Sequence, residues 1–175
     1  MSAALFRTDN ENVIFTVDAT AIPPVFNQDD RQRVKGFTIG SLGQITERWQ
    51  MLASFGYLDT RQISQNPTNN GKRLTLTPEL SGSLWTTYDL RRGFTLGGGV
   101  RYMDDVFVNA ANTIRVPGYS LVDVMVEYDV NTHLSLRLNV NNITDKVYIK
   151  NVNNNGGRFN PGTPRSAIVT SRVRF

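Results

Sequence analysis

Apolar and polar residues alternate along most of this chain with a period of two. In 134–149, Leu134, Leu136, Leu138 and Val140 alternate with Ser135, Arg137, Asn139 and Asn141. An extended backbone then carries the aliphatics on one face and the polar groups on the other. The terminal segment 165–175 repeats the pattern, with Ala167, Val169, Val173 and Phe175 set against Thr170, Arg172 and Arg174, and Ile168 out of phase. Strands of this kind need a different solvent on each side.

The rest of the chain reads the same way. Residues 2–17 predict a long strand with Ala4, Phe6, Val13, Phe15 and Val17 as its apolar positions, and the phase shift across Thr8–Asn12 predicts a bulge. Residues 18–30 read as a loop, because the Pro23-Pro24 pair cannot donate to a ladder. Strands follow at 34–45, with Phe37, Ile39 and Ile45 opposite Gly36 and Gly40, and from Trp49 through Met51, Ala53 and Phe55 to Tyr57, across a tight turn at Thr46-Glu47-Arg48. Residues 61–78 are a polar loop rich in turn formers. Strands 80–90 and 94–102 are joined at Arg91-Arg92-Gly93, and 104–118 is a third long loop. Strand 119–130, with Val122, Val124, Val126 and Tyr128 outward and Asp123, Met125 and Glu127 inward, turns at Asn131-Thr132-His133 into 134–149. The last loop is 150–164.

Long and short connections therefore alternate. Membrane barrels of bacteria have short turns on one side, long loops on the other, and strands of about 9–11 residues that alternate apolar-out and polar-in. The pattern predicts an all-β, transmembrane, antiparallel up-and-down barrel wall of about eight strands, several longer than a bilayer requires. Trp49, Tyr57, Tyr88, Phe94, Tyr102, Tyr119, Tyr128 and Phe175 lie near strand ends, where interfacial aromatic girdles belong and where some of them would equally serve to pack loops. A soluble sandwich has strands of about 5–6 residues with turns every 8–12, and a propeller blade has four strands per repeat. Here the hairpin is the repeat.

Composition narrows the class. No apolar run approaches the about 18–20 residues of a membrane helix. There is no cysteine, hence no disulfide or thiolate site. The net charge of +4 is spread singly, as at Arg7, Arg31, Arg33, Arg61 and Arg101, without the dense patch a nucleic-acid surface needs. Residues 1–7 carry neither a basic start nor an apolar core of signal-peptide length, so the chain is expected to be a piece of a longer one. Catalytic constellations are thin. His133, the sole histidine, falls in a turn; Asp29-Asp30 and Asp104-Asp105 read as loop-edge charges; Gly97-Gly98-Gly99 lies inside a strand, where it permits curvature or an uncrowded lumen. No enzymatic activity is expected. Asp123 and Glu127 share a face with Arg137 and Asn139 of the next strand, which predicts a lumenal polar ladder.

The run LNVNNITDKVY, followed by an Asn/Gly-rich loop, PGTPRS and an alternating strand ending in Phe, resembles the C-terminus of TonB-dependent outer-membrane receptors, particularly those for ferric siderophores. Matches run back through VPGYSLVDVMVEYDV, FTLGGGVRY, residues 78–90 and VKGFTIGSLGQITERWQMLASFGYLDT. The resemblance implies that residues 1–175 are the C-terminal part, about eight strands, of a larger barrel of about 22 strands in the outer membrane of a Gram-negative bacterium. It also implies loop capture of a ferric siderophore and movement of a plug domain driven by the TonB complex. No plug segment or energy-coupling box is recognised near the start, a departure from the family. Lumenal polar residues would meet the plug, and Phe175 resembles the signal read by the outer-membrane assembly machinery. Phe26, Tyr148 and Phe159, with Arg115 and Arg158, would offer aromatic faces and positive charge to an anionic chelate. A chelated ferric ion brings its own ligands, so no cofactor and no protein metal cluster are expected. The alternatives are a self-contained eight-stranded barrel with a structural or adhesive role, in which 2–17 would pair with 165–175, and a soluble carbohydrate-binding β-domain.

Overall fold

The structure, a computed structural model, describes the backbone of residues 1–18, 22–23, 25–153 and 156–175, and their side chains except those of 15–18, 25–27 and 29. Eight strands form one antiparallel sheet: β1 (Ser2–Asp18), β2 (Val25–Thr46), β3 (Trp49–Ile63), β4 (Leu80–Asp89), β5 (Phe94–Met103), β8 (Tyr119–Asp129), β9 (Leu134–Asn141) and β12 (Ser166–Val173). Each pairs with its neighbours in the order of the chain. Two small hairpins stand in the loops, β6 (Val106–Phe107) with β7 (Arg115–Val116), and β10 (Ile149–Val152) with β11 (Phe159–Pro161). β1 and β12 are the edges of the sheet, and no pairing joins them among the described residues. The self-contained barrel required that pairing; what forms instead is an open arc of wall.

Register fixes which side chains share a face. Leu5, Phe37 and Tyr57 lie in one row, as do Leu84, Val100 and Val122 in another, and the row of Val126 and Leu138 ends at Val169 on β12. Leu84, Val100, Val126 and Leu138 are each about two-fifths exposed and Leu5 is 87% exposed, so the apolar rows form one open outer face. On the other face Leu121, Asp123, Met125 and Ser135 are buried. On β5 the apolar row runs from Phe94 to Tyr102, eight steps of about 3.4 Å, about 27 Å along the strand. Tilted by about 35–45°, the row rises about 19–22 Å, most of the about 25 Å apolar band of such barrels.

At the turn end the reversals are tight and stitched together. Asp89, Asp129 and Arg174 donate backbone N–H groups to the carbonyls of Arg48, Gly93 and His133. Gly93 sits at φ 80°, where a side chain would be strained. Trp49 donates its indole N–H to Thr86, and Phe94 stacks on Tyr128 with ring centroids 4.4 Å apart, a girdle at this rim.

Several sequence expectations are corrected. The segment 18–30 is not all loop: β2 begins at Val25 and pairs with β1 as far as Asp18↔Val25, so β1, β2 and β3, with 17, 22 and 15 residues, project well beyond the apolar band. The expected bulge is present, with Asn12 at φ 58° and a register shift between Asn10 and Val13. Below it, Leu5 rather than Ala4 or Phe6 faces outward; Phe6 lies opposite Gly36 on the inner face. The strand read across 134–149 ends at Asn141. Tyr119 is not a girdle residue, since it shares the inner row of Met103 and packs on Tyr148 at 4.4 Å. Around Gly97 and Gly99 the lumen is filled, not uncrowded. A methyl group at Gly99 would stand 2.5 Å from the Trp85 ring and 2.6 Å from the Leu84 carbonyl oxygen, so the glycines are seats for Trp85.

Candidate functional site

Two regions of the inner and loop side bring chemistry together. The first is the inner wall of β5, β8 and β9. Glu127 lies directly opposite Arg137, whose Nε and Nη2 both donate to Oε2, at 2.9 and 2.5 Å. Asp123 sits four residues away, about 14 Å along the strand, too far to share that arginine. Its register partner is Gly99, and diagonal neighbours two residues on lie within reach of long side chains. Arg101 therefore meets it from β5, with Nε at 3.1 Å and Nη2 at 2.9 Å from Oδ2. Asn139 lies opposite Met125 and Ile168. All four ladder residues share the inner face, and the structure joins Glu127 with Arg137 while sending Asp123 to the other side.

Asp123 has a second task. Its Oδ1 accepts the backbone N–H of Asn142 at 2.8 Å, and Asn142 is 2% exposed with φ 49°. The Asn142 amide donates to the carbonyls of Lys146 (2.9 Å) and Thr163 (3.1 Å) and accepts from Lys146 N–H (2.9 Å). One side chain thus ties the end of β9, the bend after it and the returning chain to the barrel wall. The sequence carried a signal for this in Asn141-Asn142-Ile143-Thr144-Asp145, because Asn tolerates left-handed φ and bonds its own neighbouring backbone.

The second region is the loop end, where three loops fuse into a cap. Arg73 donates its N–H to Asn112 Oδ1 (2.7 Å) and accepts from Asn112 Nδ2 (3.0 Å); Leu76 N–H reaches the Phe107 carbonyl (2.8 Å). Arg73 also stands over the Phe107 ring, 5.3 Å from its centroid. Asp105, 7% exposed, pairs with Arg115 at 2.7 Å and Arg73 at 3.7 Å. The Arg115 guanidinium holds the Asp105 carboxyl below the usual carboxylate range, against the opposing effect of burial, and Arg115 is raised in return. Asp105 and Asp30, loop-edge charges by sequence, are both buried, Asp30 accepting the Gln65 N–H at 3.2 Å. Val108, fully buried, packs against Gly156 of the last loop. A cavity of about 320 Å³ lies among these loops, bordered by Leu76, Val106, Val116, Tyr119 and Ile149.

The loop candidates divide. Arg158 and Phe159 stand together, both exposed, on a cleft of about 340 Å³ in the β10–β11 hairpin with Asn151, Val152, Asn153 and Asn160. Tyr148 at the root of that hairpin is held between Tyr119 and Gly162. Arg115 sits in β7, committed to Asp105. The Phe26 side chain lies outside the described residues. Phe175 follows β12 and is fully exposed. His133 lies exposed in its turn, Nδ1 3.1 Å from the Arg174 carbonyl oxygen. No group of three His, Cys, Asp or Glu side chains is gathered for a metal among the described residues.

An open antiparallel meander with its apolar face outward, a polar inner wall and its long loops knitted at one end is the wall of a transmembrane β-barrel. Residues 1–143 match the family model "TonB dependent receptor-like, beta-barrel", and the chain belongs to that family. A probable TonB-dependent siderophore receptor of Acinetobacter baumannii, PiuA, is 34% identical over 160 residues, 85% of this chain and 21% of the relative. Its crystal structure superposes with a TM-score of 0.85 over 97% of this chain and 25% of that one, at 32% identity. The catecholate siderophore receptor Fiu of Escherichia coli K12 is 31% identical across the whole chain and 23% of its own length; its closed crystal form gives a TM-score of 0.83 at 30% identity, covering 99% and 25%. The ferripyoverdine receptor of the outer membrane of Pseudomonas aeruginosa, solved with ferripyoverdine bound, is similar at 25% identity with a TM-score of 0.78, covering 98% and 24%. The chain thus spans about a quarter of the length of these proteins.

Proposed function

We propose that residues 1–175 are the C-terminal wall of an outer-membrane receptor that imports a ferric siderophore, working with a plug domain inside the complete barrel and with the TonB complex. The observation that carries the reading is the coincidence of a two-faced open sheet with siderophore-receptor relatives along its whole length. The geometry supports a division of labour. The outer face meets lipid, and the inner ladder of Arg101, Asp123, Glu127 and Arg137 presents fixed, mutually neutralised charge to whatever fills the lumen. Arg158 and Phe159, exposed side by side, give an anionic chelate a guanidinium and an aromatic face. Phe175 and the alternating residues behind it serve assembly. The chain's part is binding and passage, with no covalent step.

The test is uptake by the intact receptor carrying this chain, in iron-starved bacteria lacking their own receptors and supplied with labelled ferric chelates one at a time. At least one chelate is expected to be taken up only when the TonB complex is present, and Arg158→Ala with Phe159→Ala is expected to raise the half-saturating concentration at least fivefold. Uptake of none, by a receptor shown to be in the outer membrane, would overturn the proposal.

A further inference from the structure

The cavity among the loops is walled by four separate stretches of chain, within 76–78, 103–106, 116–119 and 149–152. Leu76, Val106, Val116, Ile149 and Val152 make its wall largely aliphatic, and two of its polar side chains are spent on neighbours. The Tyr119 hydroxyl donates to the Met103 sulfur at 3.6 Å, and Asp104 Oδ1 accepts the Asp105 N–H at 2.9 Å and the Tyr102 hydroxyl at 3.4 Å. Leu76, about two-fifths exposed, is held at φ 55°, a backbone conformation unfavourable to a side chain and one that clusters where structures clamp ligands. The cavity adjoins the cleft of Arg158 and Phe159, since Asn151 and Val152 of β10 border both. Lys150, exposed on the border of the cavity, and Arg158, exposed in the cleft, have no ion pair among the described residues.

We infer that cavity and cleft form one site in two parts, the cleft taking the anionic head of a ferric chelate and the cavity a hydrocarbon arm attached to that head. The substrate class is then an acylated chelate, not a wholly hydrophilic one. Size supports the division. At about 320 Å³ the cavity lies at the bottom of the about 300–1,000 Å³ range of small-molecule pockets, room for an arm and too little for a whole chelate. An aliphatic wall selects an apolar guest, because such a cavity stays dry and has nothing to offer a charged group. Lys150 and Arg158, one beside each space, supply the charge for the head between them. Met103 and Tyr119 lie opposite each other in an inner row of β5 and β8, which sets the cavity on the lumenal side, on the way in for a chelate captured by the loops.

The inference deepens the receptor reading above and rests on it, and the experiment separates the two. The intact receptor, held in amphipol, is titrated by equilibrium dialysis with two ferric tris-catecholates of identical head and charge, one N-acylated with an acetyl arm and one with a hexanoyl arm. The four extra methylenes, each adding about fourfold to affinity when fully buried, are expected to tighten binding to wild type at least tenfold. Ile149→Phe, which fills the cavity, is expected to bring that preference below threefold. Val116→Phe fills it from β7 and carries the test if Ile149→Phe loses its folded mobility on an unheated gel. Partition of the arm into amphipol is common to wild type and variants and so cancels. Lys150→Gln is expected to weaken both chelates about threefold and to leave the preference as it was. Equal affinity of wild type for the two arms, or a hexanoyl preference that survives filling of the cavity, would overturn the inference, as would affinities untouched by Lys150→Gln. A folded wild type that binds neither chelate would instead remove the anionic-chelate reading, and the inference with it.

Discussion

The inner wall and the outer rim use the same ion pairs for opposite ends. Inside, the Asp123 and Glu127 side chains are 12% and 16% exposed, each answered by one arginine on an adjacent strand. Outside, Asp9 and Asp59 are 35% and 39% exposed, and Arg7, Arg33, Arg61 and Lys35 outnumber them. A buried carboxylate left without its partner is costly, so burial enforces pairing. At the rim water screens each charge, pairs contribute little to stability, and an unbalanced set can persist. The difference teaches that charge in this molecule is structural where it is enclosed and available where it is not.

That contrast is open to direct attack by denaturant unfolding of the intact receptor in lipid vesicles. Asp123→Ala strands both Arg101 and the buried Asn142 N–H and is expected to lower stability by about 3 kcal/mol, whereas Asp9→Ala is expected to leave the midpoint unmoved. Equal effects would erase the distinction. Asn142→Ala, which loses the same hub from the other side, is expected to cost about 2 kcal/mol. Asn142→Gly, relieved of the left-handed backbone penalty, is expected to cost about 1 kcal/mol less. Gly99→Ala, forced against Trp85, is expected to cost about 1–2 kcal/mol.

A gentler probe is pH. The folded Asp105 carboxyl is depressed by Arg115, so its contribution is complete above the unfolded value of about 3.9 and is lost as pH falls through the lower folded value. Amide protection factors in 104–118, corrected for the intrinsic exchange rate at each pH, are expected to fall on acidification below about pH 4, and Asp105→Asn is expected to flatten that dependence. The smallest effect is expected at Arg61→Ala, whose long exposed contact with Asp59 contributes nothing measurable to the unfolding midpoint.

Where one face meets lipid, the sequence was readable almost to the residue. The segments 80–90, 94–102 and 119–130 correspond to Leu80–Asp89, Phe94–Met103 and Tyr119–Asp129, because an enforced period of two leaves little choice of phase. Beyond the apolar band both faces meet water, alternation lapses, and the outer half of β2 passed for loop. Leu5 and Phe6, adjacent and both apolar, could be assigned to faces only once Gly36 was known to lie opposite Phe6. The inner ladder was half legible. Glu127 and Arg137 follow from hairpin arithmetic, but the Asp123–Arg101 pair depends on the register between strands separated by a long loop. The buried roles of Asn142 and Asp105 depend on loops folding over them, which no local pattern records. The proposed chelate contacts Arg158 and Phe159 rested on residue type alone, and their adjacency in the chain is what keeps them together on one hairpin.

The tight reversals at Glu47-Arg48 and Arg92-Gly93 also govern how such a chain can change length. With so little slack, deleting one residue between Trp49 and Tyr57 would turn the remainder of that strand inside out, presenting serine and glycine to hydrocarbon. Removing two keeps every side chain on its own side and merely shortens the wall. Insertions and deletions at this end are therefore tolerated by twos, whereas the polar 64–79 connection can gain or lose residues of any number.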